Sequence, residues 1–272
     1  MPSEIRPIVP EFLDPEILRE CIYPDLEHDL YWTDAWEPGF YAQLARSGFI
    51  SVCHDYGEPD GCLLLPELQT HYATLEWPDR HCPRSLRRRI RSGWIDSEDM
   101  RLRLTQDIRA VTEGIASRYG AESWLLPPYR ELISSLALEP PPGFSVLAVE
   151  LWSGNRGFLL GGELGYACGA TYTSLSGFIA DCSHFPDGKT LGGRGTVQLL
   201  ALSRLLENCG YAFWNLGHPY MQYKLDLGCR VLERSAFLGR WLPAVGEQPS
   251  QELINLVGQD LAVSDLLSVN LR

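Results

Sequence analysis

Lysine is nearly absent: only two of the 23 basic residues are Lys, and the rest are Arg. Arg keeps its charge when partly desolvated and grips phosphate with a planar fork. Long apolar runs are missing too, and none approaches the roughly 18 to 20 residues of a membrane span. The start, residues 1–16 (MPSEIRPIVPEFLDPE), is acidic and proline-rich and fits no signal or transit peptide. None of the eight cysteines forms a CxxC, and no HExxH, GxSxG or Walker-type loop occurs. Cys53-His54, Cys62, His71 and His81-Cys82 match no zinc spacing, so no metal is expected. Several cysteines lie in apolar runs, the pattern of reduced, buried thiols in a cytoplasmic protein.

What is present is a 272-residue chain, 45% apolar and 21% charged, which rules out wholesale disorder. Its formal charge of −12 argues, taken whole, against nucleic acid, whose binding is driven by neutralising phosphates. The distribution says more. Residues 1–79 carry 3 basic and 16 acidic side chains, residues 80–119 carry 10 basic and 5 acidic, and residues 120–272 carry 10 and 14. The densest basic stretch is Pro83-Arg84-Ser85-Leu86-Arg87-Arg88-Arg89-Ile90-Arg91. As a helix it buries Leu86 and Ile90 on one face and presents Arg84, Arg87, Arg88 and Arg91 on a neighbouring one. That face is either solvated and paired with local acids such as Asp96, Glu98 and Asp99, or it receives an anionic partner.

Along the chain, residues 1–79 read as an irregular acidic domain with a short helix carrying Phe40, Leu44 and Ala45 and ending at Gly48. Met100–Leu104 reads as a strand. Residues 105–118 read as a helix with Ile108, Val111 and Ile115 on one face. A further helix follows Pro127-Pro128 and runs to Leu138. Strands are expected at Phe144–Trp152 and Gly157–Tyr166 around the turn Ser153-Gly154-Asn155, then at Cys168–Ser176. A loop from Ala180 to Gly193 precedes a helix over Thr196–Asn208, with Val197, Leu200 and Leu205 in the core. Strand Tyr211–Leu216, helix Pro219–Leu227, strand Arg230–Leu238 and an amphipathic helix over 251–268 complete the reading. The expected class is α+β, a mixed sheet with flanking helices, divided into 1–79, 80–245 and a helical tail 246–272.

Antiparallel strands, a Gly-rich loop, helix, strand, helix and strand in that order resemble the GNAT acyltransferase fold. Its parallel strands splay apart to receive an acyl donor. Leu191-Gly192-Gly193-Arg194-Gly195-Thr196 is a loose match to the loop by which acyl-CoA members hold phosphate at a helix N-terminus. From about residue 30 to residue 240 the chain more closely resembles the leucyl/phenylalanyl-tRNA–protein transferases. Those enzymes move an amino acid from tRNA to a protein N-terminus. The matching segments are Pro83 to Arg91 against Ser-Leu-Arg-Arg, Ser123-Trp124-Leu125 against Thr-Trp-Ile, and Tyr129 with Leu132 against the following helix. Val149-Glu150-Leu151-Trp152, Leu160-Gly161-Gly162-Glu163-Leu164-Gly165 and Leu227-Gly228-Cys229 match Val-Glu-Val-Trp, Val-Gly-Gly-Leu-Tyr-Gly and Leu-Gly-Ala. The polar centre differs. The family's Gly-Glu-Ser is Ser174-Leu175-Ser176, its Asp is Asn215, its Gln is Gly217, its Ser-Lys is Arg194-Gly195, and an apolar pocket residue is Glu163.

The resemblance implies aminoacyl transfer from tRNA to the N-terminal amine of a protein or another amine. It implies no cofactor beyond aminoacyl-tRNA, and a monomer. Asn215 can position an amine or carbonyl but is no base. Glu163 is either a pocket carboxylate with a raised pKa, suited to general base work, or a solvent-facing edge residue. His218 is either a catalytic side chain or a helix-start residue beside Pro219. Trp124, Tyr129, Tyr172, Leu175, Ser176 and Gly217 would line the substrate pocket by family position, although plain core aromatics look the same. Arg84, Arg87, Arg88, Arg91 and Arg194 would meet the acceptor stem. Two rival expectations are an acyltransferase using acyl-CoA at Gly192–Thr196, and a catalytically silent relative that binds protein or RNA.

Overall fold

The computed structural model describes residues 5–57, 61–181 and 192–268. The chain opens with β1 (Arg6–Pro7), parallel to β2 (Tyr31–Trp32), and with a one-turn helix α1 (Pro15–Ile17). Asp14 caps α1 by accepting from the Glu16 and Ile17 amides. Helix α2 (Pro38–Arg46) has proline in its first turn and buries Phe40, Tyr41, Leu44 and Ala45. The acidic segment is more regular than its sequence suggests: β3 (Ile50–Asp55) and β4 (Cys62–Glu67) form an antiparallel sheet of their own. Apolar and polar side chains do not alternate cleanly along Ile50–Asp55, so the period-2 signal is weak there.

The main sheet has eight strands in the order β11-β5-β10-β9-β8-β7-β6-β12. These are β5 (His71–Leu75), β6 (Met100–Thr105), β7 (Phe144–Ser153), β8 (Phe158–Cys168), β9 (Thr171–Ile179), β10 (Phe213–Asn215), β11 (Arg230–Glu233) and β12 (Asp260–Ala262). Every neighbouring pair is antiparallel except β9 and β10, which run parallel. The protein is thus α+β, a mixed sheet flanked by helices, in keeping with a GNAT-like arrangement. Segment 1–79 contributes β5 to this sheet, and segment 246–272 contributes the edge strand β12.

Helices cover both faces. Period-2 alternation along β7 sends Val146 and Ala148 to one core, and Leu147, Val149 and Leu151 to the other. The first core holds α2, α5 (Arg109–Tyr119, with Val111 and Ile115 inward), α6 (Pro127–Leu138) and α9 (Arg234–Val245). The second holds α3 (Arg84–Arg91), α4 (Trp94–Ser97), α7 (Arg194–Asn208, with Val197, Leu200 and Leu205 inward) and α10 (Val263–Leu267). Helix α8 (Gln222–Asp226) is short and follows β10. Among the described residues no helix is long and apolar enough to cross a membrane.

Two sequence expectations need correction. The strand expected over Arg230–Leu238 stops at Glu233, because Phe237, Leu238, Trp241 and Ala244 recur at helical spacing and bury one face of α9. The helix expected over 251–268 is instead a short 3-10 turn (Leu253–Leu256), β12 and α10. Gly258 at φ 82 breaks any helix there, and the chain pairs with β6. The cysteines agree with expectation: Cys53, Cys82, Cys168, Cys209 and Cys229 are buried free thiols, and Cys62 is half-buried. Cys21 is exposed, and Cys182 lies outside the described residues.

Arg234, only 1% exposed, fastens the N-terminal segment to the sheet. Its Nε donates to the Gln69 carbonyl at 3.2 Å and Nη1 to that of Tyr23 at 3.5 Å; Asp25 and Leu68 carbonyls accept as well. A guanidinium offers five N–H groups in a rigid fork, so one side chain serves four backbone carbonyls. Arg234→Met should therefore lower stability by about 3 kcal/mol, the scale for losing hydrogen bonds to a charged group and leaving buried acceptors unpaired. Denaturant melts check this, and an unchanged midpoint would show that the four carbonyls do not depend on Arg234.

Candidate active site

The site forms where the two parallel strands part. β9 and β10 pair over only Phe213 with Thr171, Trp214 with Tyr172, and Asn215 with Thr173. Beyond Asn215 the chain parts from β9 and stays with β5: the Leu216 amide donates to the Ala73 carbonyl at 2.8 Å, and the Ala73 amide to that of Gly217 at 2.7 Å. β9 continues along β8 to Ile179. Asn215, 1% exposed, stands at the parting. Its Oδ1 accepts from the Gly217 amide at 3.0 Å, and its Nδ2 donates to Thr173 Oγ1 at 3.4 Å. Gly217 has φ +70, a left-handed turn that a side chain would strain. Asn215 and Gly217 thus shape the opening itself.

Glu163 lies in β8 beside the opening and is 4% exposed. Leu164 points into the first core, so Glu163 and Gly165 face the second, with Tyr172 and Trp214. Ser174 Oγ donates to Glu163 Oε1 at 2.6 Å, and Trp214 Nε1 donates to Ser174 Oγ at 2.8 Å. Gly165 leaves room for the Tyr172 hydroxyl, which a Cβ at that position would approach to 2.3 Å. Burial pushes the Glu163 carboxyl up to about 7, against the Ser174 and Tyr172 hydroxyls and the charge of Lys224, which favour ionisation.

Lys224 reaches in from α8 and is 5% exposed. Its Nζ donates to the Leu216 carbonyl at 2.5 Å and the His218 carbonyl at 2.6 Å, both on the β10 side of the opening. Burial draws its ammonium down to about 8, against Cys229 and Glu163. A carboxyl and an amine that burial draws towards neutrality thus lie beside one opening.

The other expected residues divide clearly. His218 borders the opening half-exposed, its Nε2 2.8 Å from Glu67 Oε2 and its ring stacked on Tyr220. Tyr172 is fully buried, edge-on to Trp214. Ser176 is half-buried on β9, opposite Leu164. Leu175 packs against the first core, away from Glu163. Trp124 and Tyr129 also belong to that core, on the opposite face of the sheet. Tyr129 is 0% exposed, shares a 2.7 Å hydrogen bond with the Tyr41 hydroxyl and donates to the Ser51 carbonyl, while Trp124 packs edge-on against it. These two are not brought to Glu163. Sequence reading does not single out Lys224, Trp214 or Ser174 as site residues. The available signals were that Lys224 is one of only two lysines and that Ser174 opens the altered Ser174-Leu175-Ser176 segment.

The arginines sort themselves by burial. Arg84, Arg87, Arg88 and Arg91 line one concavity of about 340 Å³. Arg84, Arg88 and Arg91 are exposed, and Arg87 donates to the Cys82 carbonyl at 3.0 Å. Of the three local acids, two are engaged elsewhere: Asp99 pairs with Arg101, and Glu98 with Arg156 and Arg194, while Asp96 is exposed. Arg194 does not join the row; it is 4% exposed and faces Glu98 inside. Arg89 lies 3.6 Å over the Trp94 ring and donates to the Gly192 carbonyl at 2.7 Å, which seats α3 against the start of α7. Most of the Ala180–Gly193 loop, including Leu191, lies outside the described residues. No group of three or more metal-ligating side chains occurs among the described residues.

No protein-family model matches the chain, and no curated protein matches it. Among solved structures it is similar to the C-terminal (DUF2156) domain of a protein described as a lysylphosphatidylglycerol synthetase, from Agrobacterium fabrum, with a TM-score of 0.40 and 13% identity. The match covers 77% of this chain and 62% of that chain, so it spans less than two thirds of the solved structure.

The raised Glu163 pKa fixes the sign of a pH effect. A folded-state value of about 7 against 4.5 means that folding favours the protonated acid. The contribution is complete below pH 4.5 and is lost as pH rises through about 7. Glu163→Gln, which stays neutral, should therefore gain on the parent protein between those values, reaching about 3 kcal/mol above pH 7. Denaturant melts at pH 5 and pH 8 check this; equal differences at both would show that Glu163 ionises normally.

Proposed function

We propose that this protein transfers an aminoacyl group from tRNA to an amine, at the opening between β9 and β10. The observation that carries the reading is Glu163, a buried carboxyl near neutral pKa, hydrogen-bonded to a half-buried hydroxyl at the parting of a parallel strand pair. An aminoacyl ester is already activated, so the reaction needs an amine placed against the carbonyl and a route for its proton. A base near pKa 7 is ionised often enough to accept that proton and is acidic enough to return it to the departing ribose oxygen. Lys224, fixed to the Leu216 and His218 carbonyls, adds positive charge to a site where the carbonyl oxygen gains electrons.

The Arg84, Arg88 and Arg91 row supports tRNA as the donor. These side chains are exposed and share one helix face, and two of the three local acids, Glu98 and Asp99, are occupied by other arginines. Helix α3 abuts the start of α7 through Arg89 and Gly192, and α7 in turn meets the end of β9, where a Cβ on Gly195 would touch Ile179. The row is thereby linked, through α3 and α7, to the far end of β9, the strand that also carries Ser174. The acceptor is an amine on a protein N-terminus or a small molecule.

A transfer assay tests the reading. Charged tRNAs bearing each labelled amino acid are incubated with a peptide carrying a free N-terminus, and with small amines. Label should move from one or more tRNAs to an amine acceptor, and Glu163→Gln should slow this by about 100-fold or more. No transfer from any charged tRNA would contradict it. Independently, reversing Arg84, Arg88 and Arg91 to Glu should abolish tRNA retention at low salt, because three phosphate contacts are lost. Unchanged retention would remove the row from the donor site.

A further inference from the structure

A serine hydroxyl has one proton to give and two lone pairs to receive. With Glu163 ionised, the Ser174 proton goes to Oε1 at 2.6 Å, and the Trp214 indole, which only donates, fills one lone pair at 2.8 Å. The chain therefore has a fixed direction, from Trp214 N–H to Ser174 O–H to the carboxylate. Among the described residues nothing fills the second lone pair of Ser174. Exposure decides where that lone pair is useful. Glu163 is 4% exposed and Trp214 0%, whereas Ser174 is half-buried and is the outermost member. The other groups that act on Glu163 are Tyr172 on β9 and Lys224 and Tyr223 on α8. Tyr172 is 0% exposed, and the Lys224 ammonium is engaged with two carbonyls.

We propose that Ser174 is a catalytic proton relay: it takes the proton of the incoming acceptor and passes its own to Glu163, while Trp214 holds its hydroxyl in line. The step rests on the acyl-transfer reading above. The acceptor nitrogen forms a bond to the ester carbonyl carbon, and the carbonyl electron pair moves onto oxygen. The acceptor's N–H proton passes to Ser174 Oγ as the Ser174 proton passes to Glu163 Oε1. When the intermediate collapses, the bond to the ribose oxygen breaks. That oxygen then receives a proton back through the same chain. The arrangement selects an acceptor that carries a transferable hydrogen and is small enough at nitrogen to reach Ser174.

Two measurements on the intact protein test the relay. In single-turnover transfer from charged tRNA, Ser174→Ala should lose about 100-fold or more, the usual scale of positioned proton transfer, while Ser174→Thr retains most activity. Rates measured in mixtures of light and heavy water should show two protons in flight for the parent and one for Ser174→Ala. Trp214→Phe should lower kcat with little change in KM and shift the midpoint of the pH–rate profile. The second measurement needs no substrate: infrared titration of the Glu163 carboxyl, identified by its loss in Glu163→Gln. Removing the Ser174 hydrogen bond from the carboxylate should raise the Glu163 midpoint in Ser174→Ala. Full activity in Ser174→Ala, or an unmoved infrared midpoint, would overturn the relay. Absence of transfer by the parent protein, with the infrared shift intact, would instead overturn the acyl-transfer reading and leave the hydrogen-bonded chain standing.

Discussion

A carboxyl group inside a sheet must either find donors or hold a proton, and Glu163 does both. Much of the surrounding structure answers that requirement. Ser174 gives it a proton donor, Trp214 orients that donor, and Gly165 makes space for the Tyr172 hydroxyl. Lys224 brings a compensating charge that is itself tied to the far lip of the opening. The carboxyl remains poised near neutrality because burial outweighs these partners. A surface Glu at the same place in sequence would need none of them.

The opening depends on the brevity of one strand. β10 contributes three residues to its parallel pairing; past Asn215 the backbone keeps its bonds to β5 alone, and the Asn215 carboxamide accepts from the Gly217 amide. Had β10 continued beside β9, the two strands would satisfy each other and close the space next to Ser174. Asn215 also explains why an amide serves where an acid–base group is absent: it offers a donor and an acceptor at once, to Thr173 and Gly217. Charge is arranged on a larger scale in the same spirit. The acidic first 79 residues donate β5 to the sheet, while the Arg84, Arg88 and Arg91 row stays free because Glu98 and Asp99 are held by other arginines. The formal charge of −12 therefore describes the whole chain and not the exposed face of α3.

Much of the fold was legible in the sequence where periodicity was strong. The 3.6-residue pattern of Ile108, Val111 and Ile115, the run Val197 to Leu205, and the hairpin around Ser153 all carry their signal locally. The β11–α9 junction was not legible, because Arg230–Leu238 is apolar enough for either state and a buried Arg234 obscures the helix start. In the site, Glu163 stood out as a carboxyl in an apolar strand. Ser174, Trp214 and Lys224 did not, since their significance comes from contacts across 11, 40 and 8 residues. Trp124 and Tyr129 show the converse. Aromatics at pocket-like positions were indistinguishable in sequence from the core residues that they are.

The central claim is that the parting of β9 and β10 receives an aminoacyl ester against Ser174 and Glu163. The most direct test is a crystal structure with a stable amide analogue of aminoacyl-adenosine. The account predicts the analogue's carbonyl beside Ser174 Oγ, between β9 and the Asn215–His218 segment, with Glu163 and Lys224 behind it. An analogue bound elsewhere on the protein, with this opening unoccupied, would contradict it.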